Sequence, residues 1–131
     1  MKLLVLSLII LSLSCNQQND LDIEPNLNGR WIWEKSEGGI GGWTLSHLNQ
    51  NYSKSLIIDG TRYLEFINDS LVYESNFKYK KILNPANDVN WLMDFGGFNN
   101  AAIYLHKNIL VLNEICDDCF SHTYIRNLKF H

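Results

Sequence analysis

The sequence predicts an all-β protein, a small antiparallel barrel or sandwich built as one domain. Three observations predict it. Apolar residues recur with period two over short runs, and past the N-terminal segment no stretch of ten or more residues keeps a helical period. Turn residues (Asp59-Gly60, Asn68-Asp69, Gly96-Gly97, His106-Lys107-Asn108) interrupt those runs at short intervals, leaving seven to nine strands. Aromatic residues make up 12% of the 131 positions, and large flat side chains suit a pleated surface packed on one face.

The chain opens with a segment outside this pattern. Met1-Lys2 is a minimal positive start, Leu3 to Leu13 is apolar apart from Ser7 and Ser12, and Ser14 is a small residue directly before Cys15. This reads as a secretory signal over 1–14, too short to cross a bilayer as a mature helix. Residues 15–26 are polar and acidic and read as a flexible tether. The folded domain is expected over 27–131.

The first strand is centred on Gly29-Arg30-Trp31-Ile32-Trp33, with the two indoles on one face. The cluster Gly38-Gly39-Ile40-Gly41-Gly42 follows. It lacks the Lys-Ser/Thr of a phosphate-binding loop and no helical pattern follows it, so it reads as a turn needing positive φ or close backbone approach. Trp43-Thr44-Leu45 is a short extended piece, and 47–53 a polar loop. Ser55 to Ile58 and Thr61 to Ile67 form a hairpin, with Leu64 and Phe66 assigned to the core face and Glu65 to the other. From Leu71 the alternation is long, with Tyr73, Ser75, Phe77 and Tyr79 on one face. It is either one bent strand or two strands with a break near Ser75-Asn76. Residues 84–90, with Pro85, form a loop. Trp91 to Phe95, Ala102 to Leu105, Ile109 to Leu112 and Thr123 to Leu128 complete the strands.

Two resemblances add to this. A small residue and a cysteine directly after an apolar segment resemble the lipobox of bacterial lipoproteins, although Ser12 stands where that class usually has Leu. The resemblance implies that Cys15 is lipidated and becomes the first mature residue. It also implies an exported protein held by its lipid to a bacterial cell-envelope membrane, the outer membrane being expected. Gly29-x-Trp31 resembles the opening of lipocalins and related calycin barrels. There the tryptophan plugs one end of the barrel and a late arginine crosses it, a place filled here by Arg126. A closer resemblance is to small lipocalin-like lipoproteins of Bacteroidota-type bacteria. It rests on Gly29 to Trp33, Gly38 to Gly42, and the run Cys116-x-x-Cys119-x-x-His122-x-Tyr124-x-Arg126. It implies a single antiparallel up-and-down barrel of about eight strands, closed by Gly29, Trp31 and Arg126.

The chain has three cysteines. With Cys15 lipidated, Cys116 and Cys119 remain, and an exporting signal implies an oxidising compartment in which such a close pair forms a disulfide. A thioredoxin-like role needs a helix N-terminus to lower the first thiol's pKa, whereas Asp117 and Asp118 oppose this. Zinc held by Cys116, Cys119 and His122 is the alternative the spacing permits, but no second Cys-x-x-Cys accompanies it. No metal or cofactor is expected. Glu65 and Glu74 lie across a hairpin and read as solvated acids on the outer face. No nucleophile elbow or His-Glu-x-x-His is present, so no catalytic residue is assigned.

Without Lys2 there are ten Lys+Arg against fourteen Asp+Glu, an acidic balance that argues against nucleic acid and against a polybasic membrane patch. By fold analogy the expected activity is non-enzymatic binding of a small apolar or amphipathic ligand by a monomer. Trp33, Phe66, Tyr73, Phe77, Tyr104 and Tyr124 would line the interior. The alternative is an envelope module with a filled core that binds protein or glycan through its loops, with Trp43 and Phe98 as candidate contacts.

Overall fold

A computed structural model describes residues 23–82, 91–97 and 100–129. The signal segment, Cys15, most of the tether, the 84–90 loop and Phe98 lie outside the described residues. The rest is entirely β: β1 (Gly29–Gly38), β2 (Trp43–Ser46), β3 (Lys54–Asp59), β4 (Arg62–Ile67), β5 (Ser70–Asn76), β6 (Lys78–Lys81), β7 (Trp91–Asp94), β8 (Asn100–His106), β9 (Ile109–Glu114) and β10 (Phe120–Arg126).

The strands form one antiparallel sheet in the order β5-β4-β3-β1-β10-β9-β8-β7-β6, curled into a nearly closed up-and-down barrel. Neighbours along this path are consecutive in the chain except at two places: β3 lies beside β1 with the flap β2 between them in sequence, and β1 lies beside β10, which joins the chain's two ends. β1 is the hub: its first half pairs with β3, its second half with β2, and its other edge with β10 throughout.

The ten strands exceed the expected eight for two reasons. β2 is a short flap outside the main path. The long alternation from Leu71 is divided at Phe77, where β5 ends and β6 begins. Eight antiparallel steps along the sheet make its end strands, β5 and β6, run the same way. They are two halves of one bent strand. The first half pairs with β4 and the second with β7. Where no ladder joins the halves, side chains do. Contacts run from Tyr73 to Tyr63, Phe95, Phe77, Tyr79 and Trp91, each between neighbouring rings with centroids 5.0–6.4 Å apart.

One end of the barrel is shut. Trp31 is fully buried, and its indole N–H donates to the Leu27 carbonyl at 2.8 Å. The Arg126 guanidinium lies 4.1 Å from the centroid of that indole and donates to the Asn28 and Asn26 carbonyls. Gly29 sits beneath it at φ +130°, and a Cβ there would press on Arg126 Nη1. Two cation-held carbonyls and a buried Leu27 fix the residues leading into β1 against the end of β10.

The glycine cluster serves both expected purposes. Gly39 and Gly42 have positive φ, and the Gly42 N–H donates to the Gly39 carbonyl across a tight turn. Gly38 is the close approach: a Cβ there would overlap the Cys119 carbonyl.

One facing assignment is reversed. Lys54, Leu56 and Ile58 point inward, and their partners across the ladder are Ile67, Glu65 and Tyr63. The inward face of β4 is therefore Tyr63-Glu65-Ile67. Leu64 and Phe66 face out, Phe66 opposite Ser55. Hydrophobicity alone favours the opposite orientation, but β4 takes its facing from the fully buried Leu56 and Ile58 beside it. Glu65 and Glu74 consequently do not share an outer face. Glu74 pairs with Arg62 outside, and Glu65 points into the barrel. Tyr104 likewise faces out opposite Val111, because Ala101, Ile103 and Leu112 occupy the inner face.

Candidate functional site

At the end opposite Trp31 the barrel opens into a cavity of about 460 Å³, within the usual range for small-molecule sites. Its apolar surface comes from Tyr63, Tyr73, Phe95, Ala101, Leu112 and Tyr124. Lys54, Glu65, Glu114 and His122 supply charge and polarity, and the turn holding Cys116 and Cys119 forms part of the rim. Those two cysteines form a disulfide with Cα atoms 5.3 Å apart, linking the end of β9 to the start of β10. Among the described residues, no group of three His, Cys, Asp or Glu stands close enough to hold a metal ion.

The polar groups are ordered in two sets. In the first, Lys54 Nζ pairs with Glu65 Oε1 at 3.0 Å, with both side chains less than one-fifth exposed. Glu65 Oε2 accepts from the Tyr63 hydroxyl at 3.3 Å. In the second, His122 Nε2 lies 2.9 Å from Glu114 Oε1, and His122 Nδ1 lies 2.6 Å from Ser36 Oγ. A carboxylate only accepts, so Nε2 carries a proton, and in the neutral tautomer it carries the ring's single one. Nδ1 then accepts from the Ser36 hydroxyl, whose oxygen accepts the Trp33 indole N–H at 2.8 Å. Glu114 Oε2 also accepts the Phe120 N–H.

Ser36 reaches this position through a β-bulge. The pairing of β1 with β10 shifts between Trp33 and Lys35, so Ser36 rather than Lys35 turns inward opposite His122. Strict alternation from Trp31 and Trp33 places Ser36 outside, and nothing in the sequence marks the bulge. The Ser36 side chain is buried behind His122 and is not on the cavity wall. Hydroxyl, imidazole and carboxylate thus form a chain that ends on the cavity at His122 and Glu114.

Of the six aromatics assigned to the interior, Tyr73 and Tyr124 are on the cavity wall. Trp33 points inward but is covered: Tyr52, from the 47–53 loop, stacks on it at 5.7 Å and 10°. Phe77 is buried in the seam between β5 and β6, against Tyr79 and Phe95. Phe66 and Tyr104 face outward for the reasons given above. Sequence reasoning missed Lys54, Glu65 and Glu114, because charged residues in short strands read as outward-facing until the pairing is known.

Burial raises the Tyr63 phenol well above its ordinary value near 10, with Tyr124 and Glu65 adding to the effect. Burial likewise raises Tyr124, helped by Glu65 and Glu114. Tyr79 is pushed up to about 12 by burial, with Glu24 nearby. The unfolded chain ionises these phenols near 10, before the folded one does. Their contribution is complete below pH 10 and is lost as pH rises beyond it. In an ultraviolet titration, these three of the six tyrosines should stay protonated at about pH 11, where the denatured chain is largely ionised. Their ionisation should coincide with loss of the near-ultraviolet dichroism of the fold. Six phenols titrating together near 10 in a folded barrel would contradict the burial described.

Comparison with protein-family models, with curated proteins and with solved structures finds no match.

Proposed function

We infer that this protein is an exported lipoprotein, held through Cys15 to a bacterial envelope membrane, whose lipocalin-like barrel binds a small amphipathic ligand without transforming it. The observation that carries this reading is the 460 Å³ cavity opposite the Trp31 plug, walled by rings and rimmed by ordered charges. Trp33, Phe77 and the seam fill the rest of the interior. The ligand therefore occupies the open end and does not thread the barrel. Ser36 Oγ, turned to His122 and Trp33 behind the wall, is not offered to a ligand as a nucleophile.

Native mass spectrometry of the protein from its own host tests both halves of the reading. The chain should begin at Cys15 with acyl groups attached and carry a co-purified small molecule. Ala101→Trp should keep the acyl groups and lose that molecule, because Ala101 lies on the cavity wall and a bulky ring there fills the space. A chain without acyl groups ends the anchoring proposal. A ligand retained by a folded Ala101→Trp protein ends the cavity proposal.

A second reading, an interaction module, is favoured by the flap. Ile40 is 89% exposed and Trp43 65% exposed, on the turn between β1 and β2 and on β2 itself. Photo-crosslinking from position 43 in intact envelopes would give one defined adduct if this surface has a partner.

A further inference from the structure

Accepting the ligand-binding reading above, we propose that the cavity's ligand is an organic ammonium ion, a protonated or quaternary amine on a short apolar body. Aromatic rings and uncompensated acid meet in this cavity. Tyr63 makes edge-to-face contacts with Tyr73 (6.0 Å, 70°) and with Phe95 (5.2 Å, 87°), and Tyr124 completes the ring-lined wall. The faces of aromatic rings carry the negative part of the quadrupole. A cation over a ring face is attracted by that quadrupole.

The charges point the same way. The cavity holds one lysine and two glutamates. Lys54 is committed to Glu65. Glu114 receives two hydrogen bonds, from His122 and the Phe120 N–H, and with a neutral imidazole neither cancels its charge. With His122 neutral, the wall carries one net negative charge beside the rings. Burial is the main cause of the upward displacement of the Tyr124 phenol, and both Glu65 and Glu114 add to it. A carboxylate ligand would have to face Glu114 and the ring faces together. A neutral ligand would gain apolar contact only.

The test is calorimetric titration of the full chain in detergent at mildly alkaline pH. Four probes share one body: phenethylamine, its trimethylammonium derivative, phenylethanol and phenylpropanoate. A fluorescent apolar probe, N-phenyl-naphthylamine, reports occupation of the cavity independently. Both ammonium ions should displace the fluorescent probe and bind about tenfold more tightly than the alcohol, with the carboxylate weakest. Glu114→Gln, which keeps an acceptor for His122, should shrink that preference severalfold. Alcohol or carboxylate binding as tightly as the amines, or a bound fluorescent probe that neither amine displaces, overturns the ammonium assignment and leaves the cavity reading standing. No uptake of the fluorescent probe by the folded protein removes the cavity reading and the assignment with it.

Discussion

Replacing Trp31 with alanine is expected to destabilise the barrel by about 3–5 kcal/mol, a large part of what holds a domain of this size together. The indole is fully buried, so its removal leaves a cavity that neighbouring strands cannot fill without breaking ladders on both sides of β1. Two further losses follow. The Leu27 carbonyl loses its donor in a dry site, and Arg126 loses the surface on which it lies. Arg126→Met, which keeps the aliphatic stem, should cost less, because its losses are one cation–π contact and two bonds to carbonyls at an accessible edge. A double-mutant cycle by chemical denaturation should give a coupling of about 0.5–2 kcal/mol between the two positions. Additive losses would mean that the guanidinium and indole stabilise the ends of the chain separately, and the shared closure of β1 against β10 would be wrong.

The plug was legible in the sequence although its parts lie at opposite ends of the chain. It is read through the resemblance to calycin barrels, which joins a Gly-x-Trp opening to a late arginine, here Gly29, Trp31 and Arg126. The cavity was not legible, because it is set by pairing. Glu65 points inward only because β4 takes its facing from Leu56 and Ile58. Ser36 points inward only because Glu34 is absorbed in a bulge. Shifting a strand by one residue exchanges its faces, so an unseen bulge or a neighbour's stronger burial reassigns every residue beyond it. Tyr104 and Phe66 were misplaced in this way. Tyr73 reaches the wall beside another such shift: the β4–β5 pairing slips between Tyr73 and Leu71, so Leu71 turns outward opposite Phe66 while Tyr73 stays opposite Glu65.

Phe77→Ala should also cost about 3–5 kcal/mol, but the loss should appear in a different part of the barrel. Phe77 is 3% exposed at the junction of β5 and β6, and its N–H donates to the Thr61 carbonyl at 2.9 Å. Its ring touches Tyr79 and Phe95, and so joins the half of the aromatic chain on β4 and β5 to the half on β6 and β7. The four residues of β6 pair with β7 alone, so without that ring the seam has no ladder to fall back on. Amide exchange should therefore quicken first in β6 and β7, while β1 and β10, paired on both edges, keep their protection. Phe77→Leu should retain most of the protection, since an apolar side chain still bridges the halves. Uniform acceleration over all strands would show instead that the seam is as cooperative as the rest of the sheet. Phe95 lies on the cavity wall and touches Phe77, so an opened seam also loosens the site. Ligand affinity should fall in Phe77→Ala even under conditions where the protein remains folded. The same ring chain that closes the barrel where backbone hydrogen bonds do not also sets one wall of the pocket.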